Sequence, residues 1–252
     1  MVARRALELD PLSADAHLAS ALVAAVVHWD WGAALAGIER AVTLAPESPD
    51  VWLWRGSLLS ALGRHDRAIA STRRALELDP TAPAAHAALA WHLFHARRGD
   101  EAIAQAHRAL ELQPDYYDAW DNLKWIARTL GREAVAVKAW IRTEEIDAGD
   151  GEAVRRNYEA GGLERLHREA IASQVAAWEA GHYQAPYDVA LEHAALGEVD
   201  AAMLWLERSF AERETDLVSL AVDPRLDPLR DDPRFQELLE RMAFPVKDRS
   251  GS

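Results

Sequence analysis

The heptapeptide RALELDP occupies residues 5–11 and recurs unchanged at residues 74–80. It returns as RALELQP at residues 108–114, and a looser copy, RAVTLAP, fills residues 40–46. The prolines that close the copies are 35, 34 and 34 residues apart, at Pro11, Pro46, Pro80 and Pro114. A period of this length predicts a helical solenoid, in which each repeat packs on its neighbours.

Each period divides into two helices joined by a turn. Apolar residues recur at helical spacing on either side of Gly63, so this glycine and Gly131 are predicted to lie where two helices reverse direction. Ser13 and Ser48 are predicted helix N-caps. The closing proline lacks an N–H and disfavours helix in the residue before it, so it ends the second helix.

These units resemble tetratricopeptide repeats, whose 34-residue pattern carries a tryptophan, leucine-glycine, an aromatic, an alanine and a terminal proline. The clearest match consists of Trp52, Gly56, Gly63, Ala68, Ala75 and Pro80. His17 and His86 stand in the tryptophan place of two other units, and the first full unit has one extra residue near 28–32. The resemblance implies an all-α fold, an α-solenoid built as a right-handed superhelix of antiparallel helix pairs with a C-terminal capping helix.

The same pattern divides the chain. The predicted parts are a partial repeat holding only a second helix, four tetratricopeptide-like units, a degenerate helix pair split at Gly161-Gly162, a further unit, a proline-rich connection with a capping helix, and a tail. Their bounds are 1–12, 13–148, 149–182, 183–216, 217–245 and 246–252. Because a lone half-repeat leaves its neighbour's apolar side uncovered, the N-terminal edge is expected to join a missing segment or to self-associate.

The C-terminal third carries a second resemblance, through residues 185–190, 205–208 and 223–235. These stretches are similar to the ends of tetratricopeptide arrays that follow bacterial winged-helix activators, serine/threonine kinases or adenylate cyclases. The resemblance implies the regulatory or sensory part of a larger signalling protein, with an N-terminal effector domain missing from this chain.

Composition narrows the function further. The 252 residues carry a formal charge of -13 and no cysteine, which excludes disulfides and cysteine-ligated metal sites and argues against binding to nucleic acid. The longest apolar run, residues 21–27, is far shorter than the roughly 20 residues of a membrane helix. The composition is of the cytoplasmic type, so we expect a cytoplasmic protein without a membrane partner.

The first helices of stacked units line a concave face, and residues at i, i+4 and i+7 share that face. This spacing predicts an aromatic strip with polar flanks, suited to a protein or peptide segment with apolar side chains. The candidate groove residues are Leu18, Leu22, Trp91, Phe94, His95, Asp121, Asn122, Trp125 and Arg128. The alternative is that the aromatics fill gaps between units, as we expect of Trp52 and Trp120 at the template's tryptophan place.

No catalytic constellation or phosphate-binding loop emerges, so we expect a non-catalytic scaffold without a cofactor. His92 and His95, with His86 or His107, are a disfavoured metal site because no carboxylate-histidine motif accompanies them. Asp121 argues against capture of a partner's C-terminal carboxylate. An alternative function is a small-molecule sensor, or an enzyme, with its site in the superhelix interior around Trp91 and Trp125.

Overall fold

The computed structural model describes residues 2–147 and 149–244, and the predicted tail, 246–252, lies outside them. These residues are helical, without a strand. The α-helices are α1 (Val2–Leu9), α2 (Ala14–Val26), α3 (Trp31–Leu44), α4 (Pro49–Ala61), α5 (His65–Leu78), α6 (Pro83–His95), α7 (Gly99–Leu112), α8 (Tyr117–Thr129), α9 (Glu133–Asp147), α10 (Gly151–Glu179), α11 (Pro186–Ala195), α12 (Val199–Glu212) and α13 (Pro233–Arg241). Two 3-10 helices, Thr215–Ser219 and Pro224–Leu229, connect α12 to α13.

Successive helices pack as pairs, α2 on α3, α4 on α5, α6 on α7, α8 on α9 and α11 on α12, and the pairs stack in chain order. This arrangement confirms the all-α solenoid. Helix α10 is interrupted at Gly161 and Gly162, where the backbone leaves helical geometry. None of the described helices combines the length and apolar character needed to span a bilayer.

The turns between paired helices use a residue with positive φ. Gly63 and Gly131 fill this place as predicted, with φ of 70° and 67°. In the two other N-terminal units the place falls to Trp29 and Arg97, with φ of 51° and 64°. Ser13 accepts a hydrogen bond from the Ala16 amide as a helix cap should, at 3.2 Å. Ser48 holds the cap position of α4 without a side-chain bond.

The template's tryptophan place ties each unit to the preceding one. Trp52 and Trp120 are half-buried, and each indole Nε1 donates to the carbonyl of the proline six residues earlier, at 2.8 Å. His17 and His86 make the same contact through Nε2, at 3.0 and 3.3 Å. The histidines therefore substitute for tryptophan as hydrogen-bond donors, which explains how the repeat tolerates them.

The two ends of the solenoid meet. Trp29, in the segment that departs from the repeat template, packs against Phe210 of α12 with ring centroids 4.8 Å apart. The Trp31 Nε1 donates to the Met242 carbonyl at 3.0 Å, and Arg213 donates to the Val27 carbonyl at 2.7 Å. The irregular first unit thus packs on the C-terminal end of the solenoid. Helix α13 contacts α12 and lies where the two ends meet.

Candidate functional site

The closed solenoid surrounds a cavity of about 1200 Å³ on its concave side. The N-terminal halves of α4, α6 and α8 supply one wall, with Leu53, Ala87 and Asp121 among the lining residues. Helices α10 and α11 supply the opposite wall, including Gln174 and Asp188. The cavity therefore lies where the sequence places the concave face, although only one half of each first helix reaches it.

The other half of these helices is covered by the segment between α12 and α13. Its Arg225 guanidinium lies over the rings of Trp91 and Trp125, at 4.8 and 4.6 Å from their centroids. Asp223, which is fully buried, accepts hydrogen bonds from the Arg225 side chain at 2.6 to 3.0 Å and from the Tyr187 hydroxyl at 2.9 Å. Every strong bonding direction of the carboxylate is satisfied, so it stays ionised inside the protein.

The pKa values show the same balance. Burial opposes ionisation of Asp223, but the charge and hydrogen bonds of Arg225 outweigh it and hold its pKa below the ordinary value. Burial raises the pKa of Tyr187 well above its ordinary value, and Asp223 adds to the shift. The Tyr187 hydroxyl therefore remains a donor to Asp223.

The covering segment is also tied to the solenoid from outside. Arg97, at the end of α6, forms a two-pronged pair with Asp227 at 2.5 and 2.7 Å. Arg230 donates to the carbonyls of Ala221 and Asp223 at 2.9 Å. These bonds hold the segment over the C-terminal ends of α6 and α8.

A buried ion pair joins α8 to the far wall. Arg128 contacts Glu192 at 2.7 and 3.1 Å, and both side chains are at most 5% exposed. The His167 Nδ1 lies 2.5 Å from the same carboxylate. Burial opposes ionisation of Glu192, but Arg128 and His167 lower its pKa to about 2. Arg128 and His167 also line a second cavity, of about 730 Å³, on the other side of Trp125.

The predicted groove residues separate into two sets. Those that line the main cavity are Trp91, Asp121, Asn122 and Trp125. Within this set, Trp125 is buried beneath Arg225 and Arg128, and the Asn122 amide donates to the Ala87 carbonyl at 2.9 Å. The strip therefore unites four of the nine candidates, and Trp91 is the half-buried aromatic among them.

The other five candidates do not line the main cavity. Phe94 and His95 are each 2% exposed. Phe94 belongs to the core that α6 shares with α7 and α8, and His95 lies against Ser60 of α4 and close to Asp223 of the covering segment. Leu18 packs on the core formed where the chain ends meet, and Leu22 is half-buried away from the cavity wall. Arg128 is held by Glu192 and does not line the main cavity. A segment remote in sequence thus takes surface that helical spacing assigned to a ligand.

The histidines of α6 are packing residues. His92 Nδ1 lies 2.8 Å from the Thr72 hydroxyl, and His95 Nδ1 lies 3.0 Å from that of Ser60. Burial lowers the pKa of His92 to about 4 and that of His95 to about 3, so both are neutral at pH 7. Within 2–147 and 149–244, no group of histidine and carboxylate side chains is arranged to hold a metal ion.

Several cavity residues escape prediction from the sequence. Trp54 and Tyr117 line the cavity and are 44% and 41% exposed. Trp54 lies one residue away from Leu53, and Tyr117 lies four residues before Asp121, one turn earlier on the same face of α8. The cavity wall also carries ten carboxylates and two basic side chains. The acidic composition was the available signal for this wall, whereas nothing in the sequence assigns Arg225 to it.

Two family models, each described as tetratricopeptide repeat, match residues 28–83 and 59–124. No curated protein is a significant match.

Among solved structures, the APC/C hetero-tetramer Cut9–Hcn1 is similar with a TM-score of 0.51 at 17% identity, over 95% of this chain and 38% of that one. YrrB, titled a TPR protein with an unusual peptide-binding site, gives a TM-score of 0.46 at 14% identity, over 95% and 98% of the two chains. MamA gives 0.46 at 18% identity, over 81% and 93%. The likeness to Cut9–Hcn1 shows the fold.

Proposed function

We propose that this chain, a tetratricopeptide repeat protein, is a non-catalytic scaffold that holds a segment of another protein in its concave cavity. The observation that carries the proposal is the pair of exposed aromatic side chains, Trp54 and Tyr117, on the cavity wall. Large aromatic groups on rigid helices lose little conformational entropy on binding and supply much of the contact energy in protein interfaces.

The cavity suits an extended or helical peptide segment. Its volume of about 1200 Å³ exceeds the upper end of most small-molecule pockets, which is about 1,000 Å³. The side chains of Trp91, Leu53 and Asn122 lie along the same wall. A segment with spaced apolar side chains would bury them against these residues while its backbone stays hydrated in the open part of the cavity.

The proposal extends to the cellular role. The resemblance of residues 185–190, 205–208 and 223–235 to bacterial regulators supports a cytoplasmic array that reports its occupancy to an effector domain. The reading frame upstream of Val2 tests this part. A winged-helix, kinase or cyclase domain encoded in frame would support it, and a stop codon directly upstream would overturn it.

Binding is tested with a random 12-residue peptide library displayed on phage and panned on the immobilised protein. Enriched peptides are then labelled, and their affinities are measured by fluorescence anisotropy. The test variants are Trp54→Ala and Tyr117→Ala, whose side chains are exposed enough to be removed without opening the core. Leu204→Ala is the control, because Leu204 is 54% exposed on α12, outside the cavity.

We expect each test variant to weaken binding by about tenfold or more, which is the loss typical of an aromatic anchor, and the control to bind like the wild type. Far-UV circular dichroism is used to check that all three variants fold. Peptides that bind the test variants as tightly as the wild type, or a library that yields no binder, would overturn the proposal.

A further inference from the structure

We propose that the segment bound in the cavity is basic, and that its lysine or arginine side chains are read by the carboxylates and aromatic rings of the wall. This inference rests on the proposed function and specifies the chemistry of the partner. Helical spacing by itself predicts only that the partner carries apolar side chains.

The first observation is an excess of uncompensated negative charge. Of the two basic side chains on the wall, Lys124 is paired with Asp121 at 2.5 Å and Arg225 with Asp223. By contrast, seven wall carboxylates form no salt bridge with any basic side chain in the described ranges. They are Asp50, Asp118, Glu144, Asp147, Asp150, Asp188 and Asp216.

Asp188 shows that this charge is held at a cost. Its carboxylate is largely buried, it lines the cavity, and within the described part of the chain it accepts no side-chain or backbone hydrogen bond. Burial raises its pKa to about 6, and Asp216 adds to the shift while Arg225 opposes it. Burial likewise raises the pKa of Tyr117, and Asp121 and Asp147 raise it further. A cation in the cavity would relieve this repulsion.

The second observation is that the protein already binds one arginine in this way. The Arg225 side chain combines a buried carboxylate, Asp223, with the faces of Trp91 and Trp125. Trp54 and Tyr117 are exposed aromatic side chains among unpaired carboxylates on the same wall. Cations bind aromatic faces in proteins, and arginine most often does so. The free part of the wall repeats the chemistry that holds Arg225.

The probe is a fluorescein-labelled 12-residue peptide of alternating arginine and alanine. Its counterparts carry glutamine or glutamate in place of arginine. Affinity is measured by anisotropy at ionic strengths of about 0.05 M and about 0.5 M, because exposed charges are screened over this range.

The matched variants remove two negative charges each. Glu144→Gln with Asp147→Asn acts on the wall, in the last turn of α9. Glu179→Gln with Glu212→Gln removes the charges of the last residues of α10 and α12, which lie outside the cavity. Carboxylates at helix C-termini oppose the helix dipole, so neither pair of substitutions is expected to unfold the protein.

We expect the arginine peptide to bind at least about tenfold more tightly than the glutamine peptide at low salt, and the glutamate peptide not to bind. The wall variant should weaken arginine-peptide binding about five- to tenfold, and the control variant should leave it within about twofold. Equal weakening by the two variants would show attraction to net charge alone and would overturn the inference. Library peptides that need Trp54 but lack lysine and arginine would overturn it while the proposed function stands.

Discussion

Replacing Arg225 with methionine tests whether the buried Arg225–Asp223 ion pair contributes more to stability than an exposed pair does. The substitution keeps an unbranched apolar stem against Trp91 and Trp125 and removes the guanidinium. Asp223, with no exposed surface, then keeps only two donors, the backbone amide of residue 225 at 2.9 Å and the Tyr187 hydroxyl at 2.9 Å. The carboxylate loses its countercharge but not its burial.

Loss of one partner from a buried ion pair costs about 3–5 kcal/mol, because the remaining charge is left without compensation. Cation–π contacts with two tryptophans add roughly 1 kcal/mol or more, which sulfur–aromatic contacts of the new methionine partly restore. We therefore expect Arg225→Met to lower the free energy of unfolding by about 3–5 kcal/mol at neutral pH.

The pH dependence identifies the cause. In the wild type the pKa of Asp223 is depressed, so its contribution to stability is present above the unfolded pKa of about 3.9 and is lost as the pH falls below it. In the variant burial raises that pKa, so the penalty is full near pH 7 and shrinks as the carboxyl takes up a proton on acidification. The difference between variant and wild type should therefore be smaller at about pH 5 than at about pH 7.

Urea unfolding followed by far-UV circular dichroism and tryptophan fluorescence measures these differences. Arg241→Met is the matched control, because its pair with Glu207 at 2.8 Å is 38% and 42% exposed and should contribute less than about 1 kcal/mol. Adding Asp223→Asn to Arg225→Met should restore part of the stability. A loss under about 1 kcal/mol, or one that does not change with pH, would refute this account of the covering segment.

Three further outcomes follow from the packing and the pKa values. Gly56→Ala should destabilise the protein by about 1–3 kcal/mol, since the new Cβ would lie 2.6 Å from a threonine hydroxyl of α5. Gly32→Ala should not destabilise it, because the nearest atom to its new Cβ is 3.6 Å away. Thermal unfolding of the two variants measures the difference. Because the pKa values of His92 and His95 are lowered, NMR should show both imidazoles neutral at pH 5. The unfolded chain takes up more protons than the folded one below about pH 6.5, so the free energy of unfolding should fall as the pH is lowered from there. Asp188, with a pKa raised to about 6, has the opposite sign, so Asp188→Asn should stabilise at pH 7 by about 1–2 kcal/mol, with little gain below pH 4.

The repeats were predictable because their determinants are local. Pro80 and Pro114 end helices, Gly63 and Gly131 make turns, and each needs only a few neighbours to act. The histidines at the template's tryptophan place were also recognisable. The His17 ring nitrogen makes the hydrogen bond to the Pro11 carbonyl that a tryptophan would make, so the contact is kept when the residue type changes.

The cavity was only partly predictable, because its boundary depends on contacts between distant segments. Helical spacing identifies Trp91 and Asp121 on the concave side, but it cannot show that residues 223–230 cover the helix ends at His95 and Arg128. The Arg97–Asp227 pair joins residues 130 positions apart. Such contacts leave no periodic signal in the sequence.

The ten tryptophans include both residues placed by the local repeat pattern and residues placed by long-range contacts. Trp52 and Trp120 occupy places that the repeat pattern defines. Trp29 and Trp31, in the irregular segment of the first unit, instead close the solenoid on Phe210 and Met242. The extra residue in the first unit therefore lies in the segment that contacts the C-terminal end of the solenoid.

The proposed function requires the concave cavity to hold the bound segment. NMR spectroscopy of the protein with the tightest peptide from the library locates the segment through nuclear Overhauser contacts between the peptide and assigned side chains. We expect contacts from the peptide to the Trp54 indole and the Tyr117 ring, with arginine or lysine protons among them. Contacts confined to α12 and Leu204 on the outer surface, or to the exposed Leu9 beside α2, would contradict it.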